Sequence, residues 1–397
     1  MERMPGRHFL QIPGPTNTPL SILAAIARPT IDHRGPEFAS LGLDVLKRIR
    51  SVFKTNGSVV IYPTSGTGAW EAALVNTLSP GDRILMFETG WFSTLWSKMA
   101  KALGMQPEII EGDWRSGVAA DEIERRLLED KAHSFKAVAV VHNETSTGVT
   151  SDIAAVRRAI DNAKHPALLL VDTISSLASI DYRHDEWGVD VTVGGSQKGL
   201  MLPPGLGFHA ISTKAIDASM RAKLPRSFLR WDEMLFANAT GFFPYTPSTN
   251  LLQGLRVALD LLEEEGLENV FARHIRAARA TRRAVEKWGF QIQCRNATEY
   301  SSSLTAVRLP EGYSADALRR EVLERANMSL GNGLGPLADR VFRVGHLGDF
   351  NNASVLGTLA AIEMGLKARG VPYGDGALDA AIDALSGSSS TMAQAAE

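Results

Sequence analysis

The sequence predicts an α/β fold, with a mostly parallel, doubly wound sheet domain followed by a smaller C-terminal α+β domain. Three observations carry this reading. Between residues 59 and 212, apolar runs of strand length alternate with helical stretches, the pattern of a mainly parallel sheet. Near Thr249 the texture changes to long helical stretches with only short strands between them. The chain has 397 residues, 44% of them hydrophobic, enough for a large core and for more than one domain.

The elements follow in order. Pro13-Gly14-Pro15-Thr16-Asn17-Thr18-Pro19 reads as an extended, rigid arm rather than a helix or a central strand. A short helix is expected over 20–27. A polar turn, Asp32-His33-Arg34-Gly35-Pro36, leads to a helix ending near Thr55. The first strand, 59–62, is followed by a loop over 64–68 and a helix over 69–78, with Trp70, Ala73, Leu74 and Thr77 on one face. Strands at 83–87, 137–142 and 167–172 alternate with helices at 92–103 and 153–163. Strands at 189–193 and 207–212 close the series. Helices at 249–262 and 267–288 come next, interrupted at Gly266. A strand (303–308), a helix (315–326), a short strand (341–344) and a helix (353–368) complete the smaller domain. The division is therefore an arm (1–19), a large domain (20–255), a small domain (256–370) and a C-terminal extension (371–397). The extension's Ser/Ala/Gly-rich tail, from Gly387, is expected to be disordered.

Composition narrows the function classes. The formal net charge is -2, so there is no bulk basic signal for nucleic acid or an anionic membrane. Cys294 is the only cysteine, which rules out an intrachain disulfide framework and fits a reducing compartment. The longest apolar runs are of strand length, far short of a membrane span. The first eight residues are basic without an apolar stretch, so no secretory signal is expected and the cytoplasm is the expected location. No metal site is expected.

Chemistry is concentrated at strand ends. The alternating run from Val189 ends in Gly194-Gly195, and Ser196-Gln197-Lys198-Gly199 follows at once. A lysine held on such a turn can be desolvated and used as an amine nucleophile that forms a Schiff base. Ser65-Gly66-Thr67-Gly68 lies between a strand and a helix, where glycines and free helix N–H groups suit a phosphate. A rival reading makes Gly66 and Gly68 the start of a dinucleotide fingerprint, with Glu88 as the ribose acid. Glu71 occupies the third glycine's position and weakens it. Asp172 ends a strongly apolar strand, and a buried carboxylate there needs a cationic partner. A protonated pyridine nitrogen would serve, as would a structural ion pair. In Val141-His142-Asn143-Glu144-Thr145-Ser146-Thr147-Gly148, the hydroxyls can face a cofactor's phenolic oxygen or cap the helix at Asp152. Trp91 can stack on an aromatic ring or fill the core.

The order of these parts resembles the fold-type I pyridoxal-phosphate enzymes, and within them the class V aminotransferases. The chain is most similar to the serine–glyoxylate and alanine–glyoxylate transaminases. The resemblance also includes Pro13-Gly14-Pro15-Thr16-Asn17, Tyr245-Thr246-Pro247 and Phe342-Arg343-Val344-Gly345-His346, and covers nearly the whole chain up to about Gly370. It implies that Lys198 binds pyridoxal 5'-phosphate covalently and shuttles a proton, while Asp172 pairs with the pyridinium nitrogen. It implies Trp91 on the ring face, Thr145 or Ser146 near the phenolic oxygen, and Ser65, Gly66, Thr67 and Gln197 at the phosphate. Tyr245 and Thr246 would reach the partner's phosphate site in an obligate homodimer. Arg343 would grip the substrate carboxylate, with Gly14 and the arm lining the pocket. The implied reaction moves an amino group from a small amino acid, serine or alanine, to glyoxylate. Aspartate is the alternative donor, with Arg34 the best candidate for its second carboxylate. A pyridoxamine-using transaminase, a nicotinamide-dependent oxidoreductase and a non-enzymatic binding protein are the further alternatives.

Overall fold

The computed structural model describes residues 6–387. Apart from Gly387, the Ser/Ala/Gly-rich tail lies outside them. The chain opens with β1 (Phe9–Gln11), α1 (Leu20–Ile26) and α2 (Pro36–Phe53). Then come β2 (Ser58–Tyr62), α3 (Gly66–Thr77), β3 (Arg83–Phe87), α4 (Trp91–Ala102), β4 (Gln106–Ile110), α5 (Ala120–Glu129) and β5 (Phe135–Val141). A small hairpin, β6 (Asn143–Glu144) and β7 (Val149–Thr150), precedes α6 (Ile153–Asn162), β8 (Leu168–Asp172), β9 (Val191–Gly195) and β10 (Gly207–Ile211). Helices α7 (Thr213–Ser219), α8 (Trp231–Asn238), α9 (Thr249–Glu265) and α10 (Leu267–Trp288) follow. The rest is β11 (Gln291–Ile292), β12 (Leu304–Arg308), α11 (Ala315–Ala326), β13 (Met328–Asn332), β14 (Val341–Gly345), α12 (Asn352–Ala368) and α13 (Ala377–Ser386).

Seven strands form the large sheet, in the order β2-β10-β9-β8-β5-β3-β4. Neighbours from β9 to β4 run parallel. Strand β10 alone runs against its neighbours, β9 and β2. The reason is local: the short loop from β9 to β10 brings the chain straight back antiparallel, whereas β8 reaches its parallel neighbour β9 only through the longer crossover over 173–190. Strands β5, β8 and β9 are apolar and almost wholly buried, because helices cover both faces. One face packs α3 and α4 through Trp70, Leu74 and Trp96. The other face packs α5 and α6 through Ile123, Val156 and Ile160, and α2 and α9 through Val45, Ile49 and Leu255. Helix α3 is buried on more than the single face expected, since Ala69, Ala72, Ala73, Val75 and Asn76 are all enclosed.

The second sheet has the order β1-β13-β14-β12-β11. The arm is thus an edge strand of this sheet: β1 pairs in parallel with β13, Phe9 opposite Met328. Asn17 locks its exit, accepting from Leu10 N at 3.1 Å and donating to Leu10 O at 3.1 Å. Strand β4, helix α5, strand β13 and helix α13 add to the elements read from the sequence. Strand β4 carries Gln106, Pro107 and Glu108 on a sheet edge and shows little apolar pattern, and α13 is short and alanine-rich. Among the described residues no helix is long and apolar enough to cross a membrane. The carboxyl ends of β3, β5, β8 and β9 meet the first turns of α3 and α4 along one edge, where ligands sit in open α/β sheets.

Candidate active site

Lys198 lies just past β9, where the chain buckles around Ser196. That hydroxyl donates to Pro203 O at 2.8 Å and accepts from Leu206 N at 3.1 Å. Lys198 is 8% exposed, and its Nζ donates to the Pro13 carbonyl. The arm clasps the same residue through Thr16, whose hydroxyl donates to Lys198 O at 3.2 Å and whose N–H reaches Gln197 O at 3.2 Å. Gly14 has φ +90, and a Cβ on it would lie 2.6 Å from Lys198 Nζ. Both the left-handed backbone and the close approach therefore require glycine. Burial, helped by the nearby Arg343 charge, pushes the Lys198 amine down to about 7, with Asp172 opposing.

Asp172 is 4% exposed at the end of β8. One carboxylate oxygen accepts from Trp70 Nε1 at 3.0 Å and the other from Ile174 N at 2.7 Å. Burial pushes this carboxyl up to about 7. The Ile174 N–H, the Trp70 indole and the Lys198 charge pull against it, while the Glu144 charge adds to the rise. Among the described residues the carboxylate's hydrogen-bond partners are these two N–H groups.

At the start of α3, Ser65 is the N-cap residue, but its side chain makes no capping bond. No described group accepts from the N–H of Gly66, Thr67 or Gly68. Gln197 Oε1 is buried without a partner. A Cβ on Gly195 would lie 3.3 Å from that oxygen and 3.6 Å from Gly66 N, so glycine keeps a cradle open between them. The Gln197 amide can present its NH2 by a half-turn about its last bond. Open helix N–H groups beside a buried, unpartnered amide fit a phosphate.

Thr145 and Ser146 diverge. The Ser146 hydroxyl is committed within the protein, accepting from Trp91 N at 2.9 Å and donating to Glu144 Oε1 at 2.7 Å. Among the described residues the Thr145 hydroxyl has no hydrogen-bond partner, and its carbonyl accepts from Arg343 Nη1 at 2.8 Å. Trp91, the first residue of α4, is half-buried at the sheet's edge. Arg343 is 6% exposed on β14, opposite Ala306 and Gly331. Its Nε donates to Asn332 O at 2.7 Å. Burial lowers it to about 10, against the Glu144 charge. Its hydrogen-bond partners are both carbonyls, which leaves the guanidinium charge unpaired among the described residues.

Lys198, Asp172, Arg343, Gly14, Gln197 and the α3 loop are thus brought toward one edge. Tyr245, Thr246 and Arg34 are not tied to them within this chain. Tyr245 stacks on Phe228 at 4.0 Å with its hydroxyl buried and unpartnered, and Thr246 is exposed. Arg34 is exposed, its N–H bonded to Asp32. Glu88, the ribose acid of the rival reading, accepts from Trp114 Nε1 at 2.7 Å through Oε1. Three participants escape the sequence reading: the Pro13 carbonyl, Trp70 and Glu144. The only sequence signal was for Glu144, the one carboxylate between Lys136 and Asp152.

The architecture and the layout of this edge are those of a fold-type I aminotransferase. The chain belongs to the aminotransferase class-V family, which it matches over residues 16–334. It is 48% identical to the serine–glyoxylate aminotransferase of Arabidopsis thaliana over 93% of this chain and 92% of that protein. It is 46% identical to the L-aspartate–glyoxylate aminotransferase of Paracoccus denitrificans, covering 93% of each. The crystal structure of an alanine–glyoxylate aminotransferase from Nostoc sp. superposes with a TM-score of 0.85 at 30% identity, over 92% of this chain and 97% of that one. The nicotinamide oxidoreductase reading is therefore set aside.

Proposed function

We propose that this aminotransferase uses pyridoxal 5'-phosphate to move the amino group of serine or alanine to glyoxylate, giving glycine and a 2-oxo acid. The observation that carries the reading is a buried, unpaired Arg343 guanidinium on the same edge as the buried Lys198 amine and the Asp172 acid. Gly66, Thr67 and Gln197, with Ser65, would hold the phosphate, and Trp91 would cover the ring. Pyridoxal phosphate bound there supplies an electron sink for the bonds at the substrate Cα. Asp172 holds a proton on the ring nitrogen, and that cation in turn offsets the burial cost that raises its own carboxyl. Arg343 grips the substrate carboxylate through two parallel hydrogen bonds. Lys198, with an amine lowered to about 7, is unprotonated often enough at neutral pH to serve as the base that would move the proton at the substrate Cα. The arm, through Gly14 and Pro13, closes the side of the pocket next to that amine.

Glyoxylate and the donor are supported by the names of the relatives. Donor choice is supported by geometry: Arg34, the cation the sequence offers for aspartate's second carboxylate, is exposed and not tied to Arg343. A homodimer with shared sites is supported by the family, and the exposed Thr246 is the residue of that pair free to meet a partner, the Tyr245 hydroxyl being buried in its own chain. A donor screen with glyoxylate as acceptor tests the reading. Serine or alanine should be used far faster than aspartate, and the reverse order would overturn the donor assignment. Arg343→Lys should cost every donor tenfold or more in kcat/KM, because losing a charge-assisted contact costs ~1.5–3 kcal/mol.

A further inference from the structure

Glu144 is wholly buried. Its Oε1 accepts from Phe92 N at 3.3 Å, Ser146 N at 3.0 Å and Ser146 Oγ at 2.7 Å, and its Oε2 accepts from Ser93 N at 3.2 Å. Ser146 Oγ accepts in turn from Trp91 N. The opening N–H groups of α4, on Trp91, Phe92 and Ser93, are thus all held by two side chains of one turn. Gly90 makes room for them, since a Cβ there would lie 2.8 Å from Glu144 Cδ. The turn is itself closed: Thr147 N and Gly148 N both return to Glu144 O, at 3.2 and 2.9 Å. Thr145 lies between the two side chains in the turn of the β6–β7 hairpin, and its carbonyl ties Arg343 to that turn. The other Arg343 bond, to Asn332 O, stays within the second sheet.

We propose that Glu144 is a positioning residue that sets Trp91 and Arg343 in register, so that the ring wall and the carboxylate grip are placed by one turn. The inference rests on the roles proposed above for Trp91 and Arg343. A carboxylate is needed because Glu144 accepts from four donors. An amide has a single acceptor oxygen, and its NH2 would face a backbone N–H. Burial raises this carboxyl, and the bonds from Ser146, Ser93 and Phe92 oppose that rise; in its ionised form the charge sits at the positive end of α4 and in the field of Arg343.

The test uses the cofactor-loaded full chain. Glycolate, a small carboxylate with neither an amine nor a keto group, is titrated while the visible circular dichroism of bound pyridoxal phosphate is followed. Glu144→Gln should change the dichroism before glycolate is added and weaken glycolate binding on the order of tenfold, the cost of misplacing a binding group. Adding Glu144→Gln to Arg343→Lys should weaken glycolate by less than about twofold more, because both changes act on one contact. Unchanged dichroism in Glu144→Gln, or losses that simply multiply in the double variant, would overturn the inference. If Glu144→Gln does not fold, Ser146→Ala decides. Removing the hydroxyl between Glu144 and Trp91 N should shift the dichroism, and an unshifted signal overturns the inference. An unmodified chain that binds no pyridoxal phosphate, or an Arg343→Lys variant that binds glycolate normally, would overturn the functional reading itself and this inference with it.

Discussion

Two helices begin at the same edge of the large sheet, and their first turns are treated in opposite ways. At α4 the protein supplies its own anion. Glu144, Ser146 and Ser93 occupy the N-terminal turn, with Ser93 Oγ accepting from Thr89 N and Gly90 N at 3.1 Å each. At α3 the N-cap Ser65 makes no side-chain bond, and glycines keep the surroundings clear. Both ends carry the same partial positive charge. A helix end filled by protein is a structural joint, while one left open beside an unpartnered amide is a place for a ligand. The difference separates what holds the site together from what the site holds.

The largest effect should come from emptying the filled end. Glu144→Ala leaves buried N–H donors of α4 unsatisfied and should cost about 3 kcal/mol in urea unfolding. Ser65→Ala, which removes no bond, should stay within about 0.5 kcal/mol. Equal losses in the two variants would erase the distinction between the two ends.

Filling the open end should act on affinity instead. Gly195→Ala puts a methyl between Gln197 and Gly66 N, with no positive φ to strain. It should weaken pyridoxal phosphate on the order of tenfold, as overpacking a tight site does. Inorganic phosphate should stabilise the cofactor-free chain, by about 2.7 kcal/mol at a hundredfold excess over its Kd. Gly195→Ala should blunt that gain, and an unmodified chain that phosphate does not stabilise would count against α3 as the anion site.

A pH-dependent effect sharpens the comparison at Asp172, which the Glu144 charge helps push upward. In the folded, cofactor-free chain the Asp172 carboxyl is raised from 3.8 to about 7. The unfolded chain gives up this proton first, so stability falls as pH rises from about 4 to about 7. Lys198 has the opposite sign: lowered from 10.5 to about 7, it returns stability as pH rises from 7 toward 10. Asp172→Asn should therefore gain in Tm relative to the unmodified chain between pH 4 and 7, then level off. A difference that stays flat with pH would mean that Asp172 is already ionised at no cost.

Residues whose role follows from their neighbours in the chain were readable before the structure. Lys198 sits on a Gly-Gly turn, Asp172 ends an apolar strand, and Ser65-Gly66-Thr67-Gly68 opens a helix. Each is placed by a strand–loop–helix unit a few residues long. Trp70 was read only as helix-face packing. Its bond to Asp172 depends on how α3 lies across β8, which periodicity does not encode. The hydroxyl cluster was read for Thr145 and Ser146 alike, yet Ser146 belongs to the α4 joint. Arg34 stood out as a cation near the arm, but it remains on an exposed turn.

By itself the sequence determined the doubly wound architecture and placed a lysine, a carboxylate and a glycine-rich loop at strand ends, because alternation of apolar runs and turn chemistry are local properties. Only the tertiary structure decided that β10 reverses direction and that the arm pairs with β13 while laying Pro13 and Gly14 on Lys198. It also decided that Arg343 reaches Thr145 across 198 residues. These are contacts between segments far apart in the chain. They are set by how the two sheets pack against each other, and a buried charge finds its partners only after that packing exists.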